Sequence, residues 1–254
     1  MEKQKKKKRT LYELFFKRFL DILLSLLAII ILSPVFLIVW IASKISIGGK
    51  AIFCQYRPGK NGKIFKFYKF RSMTNKTDEN GNLLPDAQRI TKFGKIIRKL
   101  SLDELPQLFN ILKGDMSIVG PRPRLVKDMI FYPKEVLKAY SVRPGLTGPA
   151  QVYDRNSELS WESVFKRDLE YAERVTFFKD LKLFFGTFIA VFKGGSASGA
   201  NSQDGNVQKR EYYYADYLLK SGQITEEQYK NGISLADKLT EKNGKIEYQK
   251  ELHN

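Results

Sequence analysis

A long uncharged segment near the N-terminus constrains the fold of this chain more than any other feature. No side chain from Ile22 to Ser43 is ionisable, and most of them are apolar. The segment has about the 20 residues that a helix needs to cross the hydrocarbon core of a bilayer. A helix that is apolar all round belongs in lipid or in a large protein core, and a chain of 254 residues builds only a modest core. The segment therefore favours a membrane-associated protein over a soluble one with a buried helix.

A proline interrupts this segment near its middle, at Ser33-Pro34. Proline removes a backbone hydrogen bond and bends a helix. Basic residues flank both ends, within Lys3–Arg18 and within Lys44–Arg57, so the positive-inside rule gives no direction of crossing. These residues favour a kinked span and a re-entrant helix equally, where the re-entrant helix returns to the face from which it entered. A cleaved signal peptide is disfavoured, because the apolar stretch is too long and no small-residue cleavage site follows it.

Lys17, Arg18 and Asp21 form a charged cluster where the apolar segment begins. An acid at the edge of lipid needs a partner, and both cations lie within about one helical turn of it. We therefore expect Lys17 or Arg18 to neutralise Asp21. The alternative is an interfacial acid that never enters lipid.

The composition restricts the chemistry. The chain has 44 Lys and Arg against 27 Asp and Glu, a formal charge of +17, which favours phosphates, nucleic acids or anionic lipids as partners. The single cysteine, Cys54, excludes an intramolecular disulfide and a cysteine-based zinc site. The single histidine, His253, is the penultimate residue and supplies no imidazole for a catalytic triad or the usual histidine metal sites. Catalysis must therefore use carboxylates, lysines, arginines or a bound metal.

Hydrophobic patterning predicts a mainly α-helical fold with one small β-hairpin. Alternating apolar residues indicate strands at Ile52–Gln55 and Ile64–Phe70, joined by a turn at Pro58–Gly62. The helical patterns are Thr91–Leu100, Leu102–Lys113, Leu125–Tyr140, Trp161–Arg174, Phe177–Phe192, Glu211–Ser221 and Thr225–Leu239. Of these, Phe177–Phe192 suits the membrane interface and a protein core equally well.

We divide the chain into three units. Residues 1–46 form a basic N-terminus and the membrane helix, and residues 47–193 form a compact domain that carries the candidate site. Small polar residues after Gly194 are typical of a linker, so residues 194–254 are predicted to be a linker and a polar helical tail.

Two adjacent acids, Asp103 and Glu104, are the main candidates for chemistry. Ser101 and Glu104 have the S-x-x-E spacing of a capping box, in which Glu104 only bonds a backbone amide, and the spacing alone favours this interpretation. In the other interpretation Asp103 is a nucleophile that a helix N-terminus keeps ionised. Pro106 is compatible with both helix starts.

Several cations stand on stiff turns or near the acidic pair. Arg122 and Arg124 lie in a proline-stiffened turn after Gly120, and their planar guanidiniums suit phosphate oxygens. Arg143 precedes Pro144-Gly145, where backbone amides also approach an anion closely. The other candidates are Lys69, Arg71, Arg98 and Arg155. Solvated basic turns are the alternative, but a diphosphate ligand and a divalent metal held by carboxylates would explain cations around acids.

These motifs together resemble a known family. The residues that carry the resemblance are Lys17-Arg18 with Asp21, Ser33-Pro34, Tyr68-Lys69-Phe70-Arg71-Ser72-Met73, Leu102-Asp103-Glu104-Leu105-Pro106-Gln107, Gly114-Asp115-Met116-Ser117, Gly120-Pro121-Arg122-Pro123 and Arg143-Pro144-Gly145-Leu146-Thr147-Gly148. In this order the chain resembles the bacterial sugar transferases, the monotopic phosphoglycosyl transferases that begin the assembly of surface polysaccharides and glycans on a polyprenol carrier.

The resemblance implies a re-entrant helix hinged at Ser33-Pro34, interfacial amphipathic helices, and a place among lipids on the cytoplasmic face of the bacterial inner membrane. It implies that Asp103 attacks the sugar-bearing phosphorus of a UDP-sugar, releases UMP and holds the phosphosugar until polyprenyl (undecaprenyl) phosphate displaces it. Glu104 is implied to bind Mg²⁺ together with Asp103, or to handle protons. The cations that match positive positions in the family's site are Lys69, Arg98, Arg122 and Arg155. Downstream glycosyltransferases would use the product.

One motif departs from the family pattern. Where the family often has Trp-Ala-Gln-Val-Asn-Gly-Arg-Asn, this chain has Pro149-Ala150-Gln151-Val152-Tyr153-Asp154-Arg155-Asn156. The Asn-Gly turn is lost, so neither the place of Arg155 nor the sugar follows from the resemblance.

Two other functions are compatible with parts of the sequence. One is a membrane-tethered basic protein that binds nucleic acid or anionic lipid, and the other is an inactive scaffold that keeps the acidic pair as a helix cap. Cations on stiff turns around acids argue against nucleic acid, which favours a basic stripe or a recognition helix, so no nucleic-acid partner is expected.

Overall fold

The computed structural model describes residues 9–153, 160–192, 213–242 and 244–246. In these residues the protein is mostly helical, with one antiparallel hairpin and one short pair of parallel strands. The predicted combination of helices and a small hairpin is therefore confirmed, whereas the parallel pair was not predicted.

The described chain begins with two helices that meet at a bend. A π-helical turn at Tyr12–Phe16 leads into α1 (Lys17–Ile31), and α2 (Ser33–Ile47) follows. The pair is bent by 66°. Among the described residues, no single helix has both the length and the apolar character to cross a membrane, and this bent pair meets both conditions only when its helices are taken together.

The bend lies at Leu32, next to the predicted hinge. Pro34 occupies the first turn of α2, where its missing amide leaves no helical hydrogen bond unmade. The Ser33 hydroxyl donates to the Ile30 carbonyl at 2.8 Å, which satisfies an acceptor near the end of α1. The predicted bend at Ser33-Pro34 is confirmed, and these contacts explain it.

The predicted hairpin is present, with a longer first strand. Strand β1 (Ile52–Pro58) pairs antiparallel with β2 (Ile64–Phe70) across a 3₁₀ turn at Lys60–Gly62. Asn61 and Gly62 both have positive φ values in this turn, 56° and 74°, which asparagine and glycine tolerate better than other residues. The turn chemistry was therefore readable from the sequence.

A short parallel pair lies beside α1. Strand β3 (Ser117–Val119) pairs with β4 (Gly145–Thr147). A Cβ on Gly145 would lie 2.1 Å from the backbone nitrogen of Gly120, so a side chain at this position would separate the strands. The glycine in the Arg-Pro-Gly-Leu-Thr-Gly motif thus serves close backbone packing.

The predicted central helices are present, with breaks at prolines, and two short helices, Asp86–Arg89 and Pro149–Tyr153, were not predicted. The observed helices are α3 (Asp86–Arg89), α4 (Lys92–Lys99), α5 (Gln107–Lys113), α6 (Val126–Met129), α7 (Lys134–Leu137), α8 (Pro149–Tyr153), α9 (Trp161–Glu173) and α10 (Phe177–Phe192). The predicted helix Leu102–Lys113 is a 3₁₀ turn at Leu102–Glu104 and then α5, because Pro106 has no amide to continue the first turn. Pro133 likewise separates α6 from α7.

The exposed and buried residues of α10 lie on different faces. Asp180 and Leu183 are buried, whereas Phe178, Phe185 and Ile189 are exposed. One face of the helix therefore packs in the protein and the other presents apolar side chains outward, so its place at a membrane interface stays a prediction.

The C-terminal helices belong to the same core as the rest of the chain. The predicted helix pair is observed as α11 (Tyr214–Lys220) and α12 (Glu226–Glu241). Tyr214, Leu218 and Ala236 are buried in the cluster that also contains the hairpin, α5 and α6. The described part of the predicted tail is thus packed against the central domain.

Candidate active site around Asp103 and Glu104

The backbone before α5 places both candidate carboxylates in the interior. Ser101 has a φ of 56°, and the 3₁₀ turn Leu102–Glu104 follows it directly. Asp103 is only 2 % exposed and Glu104 only 3 %. Carboxylates are rarely buried to this extent unless cations or hydrogen bonds compensate their charge.

The capping-box interpretation is wrong. A cap residue has an extended backbone and bonds an amide with its side chain, but Ser101 is in the left-handed conformation and makes no such bond. Its buried hydroxyl has no hydrogen-bond partner within the described part of the chain. The Glu104 carboxylate is therefore not half of a cap.

Glu104 instead binds two cations from distant parts of the chain. The Lys69 ammonium, on β2, donates to Glu104 Oε1 at 3.0 Å and lies 3.7 Å from Asp103 Oδ2. The Arg122 guanidinium, in the turn after β3, donates to the same Glu104 oxygen at 2.8 Å. Asp103 Oδ1 is buried and has no hydrogen-bond partner among the described residues, so this oxygen is left for a ligand.

The two carboxyls differ in their electrostatics. Burial raises the pKa of Asp103, and the Lys69 ammonium opposes that rise. Burial acts in the same direction on Glu104, but Arg122 and Lys69 outweigh it and lower the pKa of Glu104 to about 2. Glu104 is therefore ionised at neutral pH. Burial thus opposes the ionised form of Asp103 that we expected at a helix N-terminus, and the charges of Lys69, Arg98 and Arg122 favour it.

Arg98 reaches the cluster from α4. Its Nε donates to the Ser72 hydroxyl at 2.8 Å, and a second guanidinium nitrogen contacts the Met73 sulfur at 2.7 Å. Its charge favours the ionised form of Asp103. The acidic pair is thus surrounded by cations from β2, from α4 and from the turn after β3.

Four other arginines were predicted to bind substrate, and for two of them the structure shows contacts elsewhere. The Arg124 guanidinium lies 5.4 Å from the centroid of the Trp161 ring. The Arg143 Nε donates to the Gly114 carbonyl at 2.8 Å, at the far end of α5 from the acids. Arg71 is half-buried directly after β2, and Arg155 lies outside the described residues. Substrate binding by these four arginines stays a prediction.

Arg57 is a neighbour of the site that sequence reasoning did not single out. It donates to the Pro123 carbonyl at 3.4 Å and to Gln55 Oε1 at 2.6 Å. Burial lowers the pKa of Arg57 to about 10, and the nearby charge of Arg122 acts in the same direction. The hairpin register places Arg57 on the same face as Lys69. That register was the only signal that connected them.

The charged cluster of α1 anchors the helix to the domain. Asp21 accepts hydrogen bonds from the Ser117 hydroxyl at 3.0 Å and the Ile118 amide at 2.9 Å. Lys17 pairs with Asp180, and Arg18 donates to carbonyls at the end of α5. We expected Lys17 or Arg18 to neutralise Asp21. Burial raises the pKa of Asp21 and the Lys17 charge opposes that rise, in line with the expectation, whereas the hydrogen bonds to Asp21 come from β3.

Comparison with known proteins places the chain in one family. The family model described as "Bacterial sugar transferase" matches residues 12–194, which include the bent helix pair, the acidic pair and its cations. The chain belongs to the bacterial sugar transferase family. The matched region leaves α11 and α12 outside the shared pattern.

The chain matches curated relatives of this family over different shares of their length. The chain is 46% identical over 167 residues to the "Uncharacterized sugar transferase EpsL" of Bacillus subtilis, covering 66% of this chain and 82% of the relative. It is 38% identical over 192 residues to the "Exopolysaccharide production protein ExoY" of Rhizobium meliloti, covering 69% and 84%. It is 42% identical over 191 residues to the "UDP-glucose:undecaprenyl-phosphate glucose-1-phosphate transferase" of Klebsiella pneumoniae, covering 70% of this chain and 40% of the relative.

Asp103 and Glu104 meet some of the requirements of a magnesium site. No group of three or more acidic, histidine or cysteine side chains that suits a metal occurs among the described residues. Mg²⁺, however, is commonly held by one or two carboxylates together with substrate phosphates and water. Asp103 and Glu104, with one Asp103 oxygen unpartnered, fit that donor set.

Proposed function

We propose that this protein transfers a sugar 1-phosphate from a UDP-sugar to polyprenyl phosphate on the cytoplasmic face of the bacterial membrane. The observation that carries the proposal is the buried Asp103 carboxylate, which has one unpartnered oxygen and cations on several sides. The printed name of the Klebsiella pneumoniae relative states this reaction for glucose.

The reaction proceeds by two displacements at one phosphorus atom. An Asp103 oxygen forms a bond to the sugar-bearing phosphorus of the UDP-sugar, and the bond from that phosphorus to the bridging oxygen breaks, so UMP leaves with the electron pair. A phosphate oxygen of the polyprenyl phosphate then attacks the same phosphorus and displaces the Asp103 carboxylate. The product is a polyprenyl diphosphate sugar, and the carboxylate is regenerated.

The cations have separate tasks in this scheme. Lys69 lies between the two acids and favours the ionised form of Asp103 that attacks, because its charge opposes the effect of burial. Arg122 and Arg98 stabilise negative charge on the diphosphate. Glu104, ionised at neutral pH, holds Lys69 and Arg122 in place through a single oxygen.

A magnesium ion is part of the proposal. Glu104 and Asp103 would hold it together with diphosphate oxygens, and it would neutralise charge on the diphosphate. Both carboxylates lie in the same 3₁₀ turn, and the Lys69 ammonium lies 3.7 Å from an Asp103 oxygen and 3.0 Å from a Glu104 oxygen.

The bent helix pair is proposed to enter and leave the membrane on one face. Apolar side chains on both arms are exposed, among them Ile31, Leu37 and Ile38. The inner side of α1 carries Lys17, Asp21 and Ser25, which are buried against the domain. A re-entrant path leaves these polar groups in protein and the apolar ones in lipid.

Asp103→Asn tests the nucleophile. The purified protein in detergent, with Mg²⁺ and a panel of UDP-sugars labelled in the sugar, is expected to release UMP and to retain phosphosugar label. Asp103→Asn is expected to lose both, because an amide does not attack phosphorus. Asp237→Asn, at an exposed position of α12, is the matched control. Full labelling of a folded Asp103→Asn variant would sink the assignment.

A further inference from the structure

The described residues beyond the family match pack against two elements that carry cations of the active site, which we call its supports. The matched region ends at residue 194, and we call the described residues beyond it, 213–242 and 244–246, the C-terminal extension. The extension contacts α6, which follows the turn that carries Arg122. It also contacts the turn of the hairpin that carries Lys69 and Arg57. The two supports, α6 with the turn before it and the β1–β2 hairpin, are therefore both bound to the C-terminal extension.

The first anchor lies at the start of α11. The Ala215 amide donates to Asp128 Oδ1 at 3.3 Å, and the Asp128 side chain is buried in α6. The Lys127 ammonium lies 3.7 Å from Asp216 Oδ2 and 4.1 Å from the centroid of the Tyr213 ring. These contacts fix α11 to the helix that continues from the Arg122 turn.

The second anchor is an aromatic contact in α12. The ring of Tyr229 stacks on that of Phe131, with centroids 6.5 Å apart. Gly232 lies against the same ring: a Cβ at this position would come within 2.2 Å of Phe131 Cζ. Phe131 follows α6 directly and is fully buried. The close approach of α12 to this support therefore requires glycine.

The third anchor joins the end of the extension to the hairpin. The Ile64 amide donates to the Gly244 carbonyl at 3.0 Å, and the Ile246 amide donates to the Gly62 carbonyl at 2.9 Å. The Ile246 side chain is buried in the main core. The last described residues of the extension are thus hydrogen-bonded through their backbone to the turn between β1 and β2.

Repulsion between cations on the two supports favours separation of the supports. Lys69 and Arg122 donate to the same Glu104 oxygen, and Arg57 on β1 lies close to Arg122. Like charges in a partly buried cluster repel more strongly than in water. The carboxyls of Asp103 and Glu104 compensate only part of the charge of Lys69, Arg57 and Arg122. A segment bound to both supports opposes the separation.

We propose that the C-terminal extension positions Lys69, Arg57 and Arg122 so that together they bind the diphosphate of the sugar nucleotide. This inference rests on the proposed function, since it concerns the donor of that reaction. Residues of the extension act through the cations, so they are positioning residues.

Two substitutions release the extension at different anchors. Gly232→Ala places a methyl group against the Phe131 ring and displaces α12. Ile246→Asp places a charge at a buried position and detaches the segment from the hairpin turn. Ser234→Ala and Ser234→Asp introduce the same two residues at an exposed position of α12. Hydrogen exchange of the Ile64 amide, which donates to Gly244, reports the release.

Binding of UDP in the presence of Mg²⁺ is the readout, measured by calorimetry on the full-length protein in detergent. Each releasing variant is expected to bind UDP about tenfold more weakly, because a charge-assisted hydrogen bond is lost or lengthened. The Ser234 controls are expected to bind like the wild type. Phe131→Leu removes ring atoms that the methyl group of Gly232→Ala would meet, so the double variant is expected to recover affinity.

A double-mutant cycle separates positioning from general stabilisation. In an Arg122→Gln background, Gly232→Ala is expected to weaken UDP binding little further, because the cation that it displaces is already absent. An equal loss in both backgrounds overturns the inference, and so does unchanged UDP affinity in variants whose Ile64 amide exchanges faster. A wild-type protein that binds no UDP contradicts the proposed function itself.

Discussion

At the scale of single residues, two adjacent carboxyls have opposite properties because their neighbours differ. Glu104 shares one oxygen between Lys69 and Arg122, and these charges lower its pKa to about 2 despite burial. Asp103 has weaker contacts, an unpartnered oxygen and a raised pKa. One acid therefore organises the cations, and the other is available for reaction.

Lys69→Met is expected to move the acid limb of the pH profile of kcat/KM to higher pH. Burial raises the pKa of Asp103 and the Lys69 ammonium opposes it, so loss of the ammonium raises this pKa further. A carboxylate nucleophile must be ionised, so activity is present above the pKa of Asp103 and lost as the pH falls through it. Initial rates of UMP release across pH measure the shift.

The control for this experiment is Lys66→Met on the same strand. Lys66 is exposed and lies 5.8 Å from the centroid of the Tyr56 ring, away from the acids. Its profile is expected to match the wild type. An acid limb in Lys69→Met that coincides with that of Lys66→Met contradicts the role of Lys69.

At the scale of elements, short interruptions decide how the helices are used. The break at Leu32 turns one long apolar segment into two helices, and Pro106 turns one predicted helix into a 3₁₀ turn that buries the acidic pair. Both interruptions follow from proline, which lacks the amide that a continuous helix requires.

Replacing Ser33-Pro34 by Ala-Leu is expected to straighten the membrane segment. The Ser33 hydroxyl no longer satisfies the Ile30 carbonyl, and a leucine amide at position 34 is able to continue the helix. Cysteines placed before α1 and after α2 in intact cells measure accessibility. They are expected on the same face in the wild type and on opposite faces in the variant.

The same exchange at Leu37-Ile38 is the control, since both side chains are exposed and lie beyond the bend. It is expected to leave both labels on one face. Labels that stay together in the Ser33-Pro34 variant count against the hinge as the cause of re-entrance.

At the scale of the whole molecule, a buried polar network joins the N-terminal helix to the domain. Asp180 on α10 pairs with Lys17 and accepts hydrogen bonds from the Tyr12 and Tyr171 hydroxyls, each at 2.8 Å. These residues come from four elements: the π-helical turn, α1, α9 and α10. The bent pair is therefore held at a defined place relative to the active site.

Asp180→Asn is expected to destabilise the protein by about 3 kcal/mol, because it leaves the Lys17 ammonium without its buried anionic partner. Denaturant titration of the detergent-solubilised protein measures the free energy of unfolding. Asp237→Asn, which changes an exposed carboxyl, is expected to have little effect. Equal stability of the two variants contradicts the anchoring role of Asp180.

Much of the fold and part of the site were predictable from local patterns. The bend, the hairpin turn and most helix positions depend on residues close together in the chain, such as Asn61-Gly62 and Pro34. Capping is also a local pattern, and at Ser101 it misled, because the backbone there is left-handed and the side chain makes no cap bond. The parallel strands had no such signal, since each has only three residues.

The sequence by itself determined the apolar segment, its proline, the lack of usable histidine and the presence of an acidic pair among cations. Only the tertiary structure decided that Glu104 binds Lys69 and Arg122, that Asp21 is satisfied by β3, and that the C-terminal extension packs on the hairpin. The physical reason is the separation along the chain of the residues that interact. Periodicity and capping concern neighbours within about two helical turns, whereas these contacts join side chains that only the packed core brings together.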